Sequence, residues 1–515
     1  MFFLSDPHPL GFAAMAAALI LLAVAFAFGV LIVWRSLGKA TRKKKRYPPV
    51  AGTIFHHFLN FGRLHDYSTS LARKHKTYRL LSPFCSEVYT ADPANVEFIL
   101  KTNFSNYGKG QYNYNNMKDL LGDGIFAVDG EKWYHQRKVA SVEFSKSVLR
   151  DYSNAVFISN ATKLASVISE AVRSSKIVDI QDLFMKSTMD SIFQVAFGVE
   201  IDSLCGSNEE GSKFAEAFDD SSALTTWRYV DISWKIKKLL NIGSEAVLNK
   251  RIQVVDDFVY KVIDNKIKQH DLVRLSKKED FLSRFLVESQ QDPEKITHKY
   301  LRDIILNFMV AGKDTTAVTL SWLFYMLCKH PSVEEKIVEE LILATKEIGN
   351  DASIGEFAAS LTEETIDKMQ YLHATLSETL RLYPAVPLNP KICFADDTLP
   401  DGHDVKKGDM VVYMPYVMGR MKFIWGDDAE DFRPERWLNS DGVFSPESPF
   451  KFTAFQAGPR ICLGKELAYR QMKIFAALLL SFFRFKLSNE RQPVNYRTML
   501  TLQIDKGLHL YAFHR

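Results

Sequence analysis

The sequence predicts a mostly helical body with small β-sheets (α+β), preceded by one N-terminal transmembrane helix. Three observations carry this. Helix-spaced apolar patterns dominate from about residue 130 to 380 and return after Gly464. Short strand-like runs lie at 77–90, 410–416 and 496–513. Residues 10–34 contain no charged side chain.

That uncharged run exceeds the roughly 20 apolar residues that a helix needs to cross a bilayer. Trp34 stands where an aromatic ring would meet the interface, and Arg35, Lys39 and Arg42-Lys43-Lys44-Lys45-Arg46 follow. Only Asp6 and the α-amino group precede it. The basic flank places residues 1–9 in the lumen and the body in the cytosol. A cleaved signal peptide fits poorly: the run is too long, the basic residues are on the wrong side, and no small-residue cleavage site follows. Residues 35–52 read as a basic, proline-rich linker ending in Tyr47-Pro48-Pro49-Val50-Ala51-Gly52, and residues 53–515 as the functional body.

The basic flank also explains the net charge of +4 among 515 residues. Seven of the 65 Lys and Arg fall in residues 35–46, which leaves 58 against 61 acidic residues. A near-neutral body excludes a nucleic-acid surface. The five cysteines (Cys85, Cys205, Cys328, Cys393 and Cys462) are scattered and odd in number, so they suit a reducing compartment and no disulfide framework. A body of this size exceeds what one apolar core usually fills, unless a large ligand occupies its centre.

Within the body, residues 307–328 are apolar around most of a helix, yet Gly312-Lys313-Asp314-Thr315-Thr316 interrupt them. Gly and Thr are poor helix formers, and a threonine hydroxyl competes for helix carbonyls. A locally opened groove is expected, with Asp314 and Thr315 as a proton route. Glu378 and Arg381 share one face of a helix at 369–382. Trp133 and Arg137 stand at i, i+4 on another. Near the C-terminus, Phe455-Gln456-Ala457-Gly458-Pro459-Arg460-Ile461-Cys462-Leu463-Gly464 puts a cysteine behind a glycine turn and before a long apolar helix. Turn N–H groups and the positive helix end would favour a metal-binding thiolate there. A structural cysteine in a turn is the plainer alternative.

The decapeptide resembles the haem-binding signature of the cytochrome P450 family, Phe-x-x-Gly-x-Arg-x-Cys-x-Gly, at every fixed position. Residues 311–316 resemble its Ala-Gly-x-Asp-Thr-Thr motif, 378–381 its Glu-x-x-Arg motif, and 133–137 its Trp-x-x-x-Arg motif. The likeness runs from Pro48 to about His509. It implies a fold with haem b between a long central helix and the cysteine loop, and Cys462 as axial thiolate. Thr315 would orient the water that delivers protons to bound oxygen, with Asp314 as its acid partner. Trp133, Arg137, Lys391 and Arg460 would meet the haem propionates. Phe455 would cover the thiolate side, Gly458 permit the turn, and Gly464 allow backbone approach to the porphyrin. Glu378, Arg381 and Arg436 would be scaffolding, with Trp437 a conservative change where relatives commonly have phenylalanine. His56, His57, His135 and His373 lie in no comparable signature and read as ordinary helix or surface residues.

The function implied is a membrane-anchored haem-thiolate monooxygenase of the endoplasmic reticulum that inserts one atom of O2 into a C–H bond of a lipophilic substrate. With no flavin domain or dinucleotide motif in view, electrons would come from an NADPH-cytochrome P450 reductase. Residues 309–316, 383–387 and 452–462 resemble plant enzymes that hydroxylate fatty acids at or near the methyl end, which favours fatty-acid ω-hydroxylation. Residues 107–124, 385–388 and 500–502 would touch substrate. A haem-thiolate isomerase or dehydratase is disfavoured by the presence of both Asp314 and Thr315. A haem carrier or sensor is disfavoured by that pair and the anchor.

Overall fold

A long central helix organises the body. Its first part, His298–Met309, starts at Thr297, whose Oγ1 accepts the Tyr300 N–H at 3.2 Å. It passes through a π-helical turn, Val310–Asp314, and continues as Thr315–Lys329 until Pro331 opens the next helix. The predicted helix at 307–328 thus begins nine residues earlier, where Leu301, Ile304 and Ile305 are buried at helical spacing. Nearly every residue from Thr316 to Leu327 is buried, as an all-round apolar pattern requires.

The computed structural model describes residues 46–82, 86–144, 147–204, 209–272, 280, 282–283, 285–286, 297–345, 352–491 and 493–515. The predicted anchor at 10–34, the lumenal residues 1–9, the basic run as far as Lys45, Cys85 and Cys205 lie outside them. Among the described residues no helix is long and apolar enough to cross a membrane.

The helices used below are α1 (Ile54–Leu59), α2 (Leu64–Lys74), α3 (Gly110–Leu121), α4 (Gly130–Phe144), α5 (Ser147–Arg173), α6 (Ile180–Phe197), α7 (Glu209–Trp227), α8 (Trp234–Leu240), α9 (Gly243–Leu272), α10 (His298–Met309), α11 (Thr315–Lys329), α12 (Pro331–Ala344), α13 (Gln370–Leu382) and α14 (Lys465–Phe482). One apolar cluster joins α5, α11, α12, α13 and α14. A second joins α3, α6, α7, α9 and α10. A third lies on the main sheet.

That sheet has six strands: β1 (Val50–Thr53), β2 (Thr77–Leu81), β3 (Glu87–Thr90), Met410–Tyr413, Asn389–Cys393 and Tyr107–Gly108, in this spatial order. β3 runs parallel to Met410–Tyr413, a pairing across more than 300 residues of sequence. Every residue of these two strands and of Asn389–Cys393 is buried. The strand expected at 410–416 stops at Tyr413, because Pro415 has no N–H for a ladder and begins a helical turn. The run expected at 496–513 forms a bridge between Tyr496 and Ile504 and then a strand, His509–His514, paired with Phe483–Leu487.

Glu378 on α13 is fully buried and saturated with donors. Oε1 accepts from Arg381 Nη2 at 2.7 Å, the Arg433 N–H at 2.8 Å and Arg436 Nε at 2.9 Å. Oε2 accepts from Arg381 Nε at 2.7 Å and from the indole N–H of Trp437 at 2.9 Å. Arg381 also donates to the carbonyls of Gly419, Ala429 and Asp431. Trp437, read from sequence as a conservative aromatic change, is therefore a hydrogen-bonding member of this network. Trp437→Phe leaves Oε2 one donor short and is expected to cost about 1–3 kcal/mol. Removing the Arg381 guanidinium strands a buried carboxylate and is expected to cost about 3–5 kcal/mol. Thermal unfolding measures both; a Trp437→Phe protein as stable as the parent would exclude a role for the indole N–H.

Candidate active site

The cysteine loop is built from tight turns. A 3₁₀ turn, Thr453–Phe455, leads to Gln456 at φ 58°, and a second, Gly458–Arg460, precedes Cys462. Gly458 has φ +64°, and a Cβ there would lie 2.0 Å from the Leu100 carbonyl oxygen, so the turn requires glycine. The Cys462 N–H donates to the Phe455 carbonyl at 2.8 Å, which folds the loop over itself. Three residues later α14 begins, so the sulfur sits near a positive helix end. Cys462 is exposed to the cavity, and the Gly464 N–H, Arg137 and Lys465 all favour the thiolate, but the desolvated surroundings outweigh them and push the thiol up. The expected stabilised anion thus needs more than the loop; a metal cation would deprotonate the thiol outright. Gly464 has ordinary φ, and a Cβ there would meet only the Phe144 ring at 3.6 Å. Its expected role rests on its place in the cavity wall alone.

The cavity beside Cys462 lies where the apolar clusters meet. Phe455 and Leu467 pack on the first, Leu463 and Phe308 on the second, and Ala457 is buried in the third. Along one rim the charges do not balance. Trp133 and Arg137 from α4 line it, and the Arg460 guanidinium lies 4.5 Å from the Trp133 ring centre. The cation–π partner of Trp133 is thus Arg460, which brings two separate motifs together. Arg460 donates to Asp129 Oδ1 at 2.6 Å and to the Val128 carbonyl at 3.1 Å, while its Nε has no partner among the described residues. Lys109, not singled out in the sequence, also lines the cavity. Burial, then Arg460, brings its ammonium down to about 8. Lys391, predicted at the propionates, lines neither lobe of the cavity; it is buried behind Lys109 and Arg460, its Nζ lacks a partner among the described residues, and burial holds its ammonium well below the usual lysine range. Lys109, Lys391 and Arg460 thus share one carboxylate, Asp129, and Arg137 lines the cavity. The donor set fits a dianionic ligand such as a haem with two propionates.

The opposite wall is the π turn. Gly312 allows α6 to approach, since a Cβ there would lie 2.5 Å from Ile192 Cδ1. Thr315 lines the cavity, and its Oγ1 donates to the Ala311 carbonyl at 2.6 Å, the expected competition for a helix carbonyl. Asp314 does not reach the wall. It is buried and ion-paired with Lys313 Nζ at 3.0 Å, and Lys313 also reaches Asp219 of α7 at 2.9 Å. Burial lifts the Asp314 carboxyl to about 6 against the pull of Lys313. The structure therefore brings Thr315 to the cavity and leaves Asp314 one step behind it.

The cavity continues into an upper lobe. Lys109, Phe126, Ala311, Thr315, Val386 and Gln456 line both lobes. Each expected substrate segment contributes: Met117 from 107–124, Val386 and Leu388 from 385–388, and Leu500 and Thr501 from 500–502. The loop after α3 is clamped to α10: Asp303 Oδ2 accepts the Asp123 N–H at 2.9 Å, and Asn307 Oδ1 accepts the Phe126 N–H at 3.1 Å. His56, His135 and His373 are not among the lining residues. His57 departs from its reading as an ordinary helix or surface residue: it is buried in the upper lobe, away from Cys462, and burial brings its imidazole down to about 4.

A cysteine loop under a cation-rimmed cavity, faced by a broken helix, defines a haem-thiolate enzyme. The cytochrome P450 family model matches residues 47–511. The chain is 53% identical to cytochrome P450 704C1 of Pinus taeda over 92% of its own length and 93% of that protein. It is 45% identical to cytochrome P450 704B1 of Arabidopsis thaliana, covering 94% and 97%, and 41% identical to cytochrome P450 86B1 of Arabidopsis thaliana, covering 88% and 82%. The chain belongs to the cytochrome P450 family, whose members are monooxygenases that bind haem b through a cysteine thiolate.

The rim makes a prediction with opposite signs. Lys391→Met removes an unpaired buried ammonium and is expected to stabilise the haem-free chain by about 1–3 kcal/mol. It also removes a partner for a bound carboxylate, so haem should dissociate faster. Calorimetric unfolding of both forms and transfer of haem to an acceptor protein measure these; destabilisation of the haem-free chain would contradict the unpaired state of Lys391.

Proposed function

We propose that the chain is a membrane-tethered hydroxylase that inserts one oxygen atom into a C–H bond at or near the methyl end of a fatty acid, using electrons from an NADPH-dependent reductase. One observation carries the reading: the Cys462 loop and the Ala311–Thr315 turn line the same apolar cavity from two sides. In this reading Cys462 is the axial ligand, and Arg137, Arg460, Lys109 and Lys391 receive the propionates. Bound haem supplies the oxygen activation and C–H chemistry. Phe455, whose ring lies 5.2 Å from that of Tyr469, keeps water from the sulfur. Thr315 turns its hydroxyl from the Ala311 carbonyl to hold a water in the cavity. Asp314, once protonated from solvent and so freed from Lys313, then restores the proton. The apolar walls exclude other water and align an alkyl chain.

The substrate class rests on the resemblance of residues 309–316, 383–387 and 452–462 to plant fatty-acid hydroxylases, and on the length of the two-lobed apolar cavity. A lipid source is supported by the surface. Ile236, Leu239 and Leu240 of α8 and Phe55, Phe58 and Leu59 of α1 are exposed, and lysines alternate with the apolar residues of α8. Phe58 lies 5.6 Å from Trp227, which joins the two helices' neighbourhoods. This face, together with residues 10–34, would seat the body on the cytosolic side of the endoplasmic reticulum membrane. Phe61 and Thr226, next to that face, line the upper lobe.

The reduced carbon-monoxide complex should show the thiolate-type Soret band, and Cys462→Ser should lose it; a histidine-type band in the parent would remove Cys462 as ligand. Thr315→Ala should continue to consume NADPH while product per NADPH falls severalfold and peroxide rises. Unchanged coupling would take Thr315 out of proton delivery. With reductase and NADPH, purified protein should convert medium- or long-chain fatty acids, and failure with every chain length would sink the substrate assignment.

A further inference from the structure

The upper lobe holds a polar group of side chains that the hydroxylation chemistry does not use. Glu87 and Tyr89 alternate on β3 and so point to one face of the sheet. Both line the lobe, as does His57 of α1. Tyr89 Oη donates to Glu87 Oε2 at 2.8 Å and lies 3.4 Å from His57 Nδ1. Tyr89 has one hydrogen, and it is committed to Glu87. With Glu87 ionised, His57 donates from Nδ1, which leaves Nε2 a bare acceptor, and Nε2 has no partner among the described residues.

Glu87 is 2% exposed. Glu378, Glu245 and Asp303 are buried to a similar degree, and each is paired with an arginine. Among the described residues Glu87 has no such cation: Lys109 lines the same lobe, but it is not paired with Glu87. Only burial and the Tyr89 hydroxyl act on its carboxyl, which burial lifts to about 7. A buried acid without a counter-charge is a costly thing to place in a lipid channel. What it presents to that channel, with His57, is acceptor capacity. A ligand carboxylate, itself only an acceptor, would bring a second negative charge into the same low-dielectric lobe.

We propose that Glu87, Tyr89 and His57 form a recognition site for an uncharged O–H donor at the end of the substrate remote from the reacting carbon. The occupant is an aliphatic chain ending in a hydroxyl or an undissociated carboxyl. The carboxylate anion is excluded. The apolar part of the lobe, which includes Met117, Leu121, Leu388 and Met414, takes the chain. This inference rests on the reading of the cavity as an acyl-chain site.

The test is calorimetric titration of the full-length haem-loaded protein with a 1-alkanol, the fatty acid and its methyl ester, all of one chain length. The alkanol should bind about tenfold more tightly than the ester, which lacks the O–H. Glu87→Leu should abolish that ratio. Glu87→Gln keeps an acceptor and removes the charge, so it should hold the alkanol within threefold and tighten the fatty acid at pH 8. Fatty acid bound more tightly at pH 6 than at pH 8 marks the undissociated acid as an occupant, and alkanol tighter than acid at both marks the alcohol. Equal affinity for alkanol and ester in the parent overturns the proposal, and so does a ratio unchanged by Glu87→Leu in protein that retains its Soret band. Fatty acid bound equally at both pH values and more tightly than alkanol also overturns it. Binding is read without turnover, so a failed discrimination leaves hydroxylation standing, and absent turnover with intact discrimination removes only the hydroxylation reading.

Discussion

The buried Glu378 carboxylate is the constraint on which the architecture around the cysteine depends. A carboxylate at zero exposure is tolerable only when its lone pairs are filled, and here five donors fill them. Three of these donors come from residues 433–437, and Arg381 spreads its remaining hydrogens over carbonyls at 419–431. An irregular segment with little regular secondary structure is thereby fastened to a helix. The chain leaves that segment and enters the cysteine loop within twenty residues, so the position of Cys462 inherits the rigidity of a charge network that never touches the cavity.

The central helix shows the complementary principle. Its flanks are packed all round, and its middle is opened by Gly312 and by a threonine that takes a carbonyl from the ladder. Tight packing on both sides lets a weak turn persist between them. The scaffold supplies order, and the site is placed where the order is locally relaxed.

Much of this was legible in the sequence because it is local. The cysteine loop, the Gly-Lys-Asp-Thr-Thr interruption and the i, i+3 acid–arginine pair are each contiguous, and the structure places Cys462, Trp133, Arg137, Phe455, Arg460, Gly464 and Thr315 around one cavity. What escaped depends on pairings distant along the chain. Lys109 sits between two glycines in a segment without periodicity, and only the fold sets it beside Arg460 and Lys391. The Trp133–Arg460 contact joins residues over 300 apart. The indole of Trp437 reads as bulk until a carboxylate is seen beside it. His57 reads as a surface histidine until β3 is laid against α1. Asp314 reads as the acid partner of Thr315, and only the fold shows that the lysine preceding it holds it behind the wall.

Lys313 has a mechanical consequence. One ammonium is shared between an acid on the central helix and an acid on α7. If α7 lifts and Asp219 withdraws, the ammonium is left with a single counter-ion and grips Asp314 harder. The buried ammonium therefore works as a tie bar between the two elements: whatever charge one acid loses, the other feels.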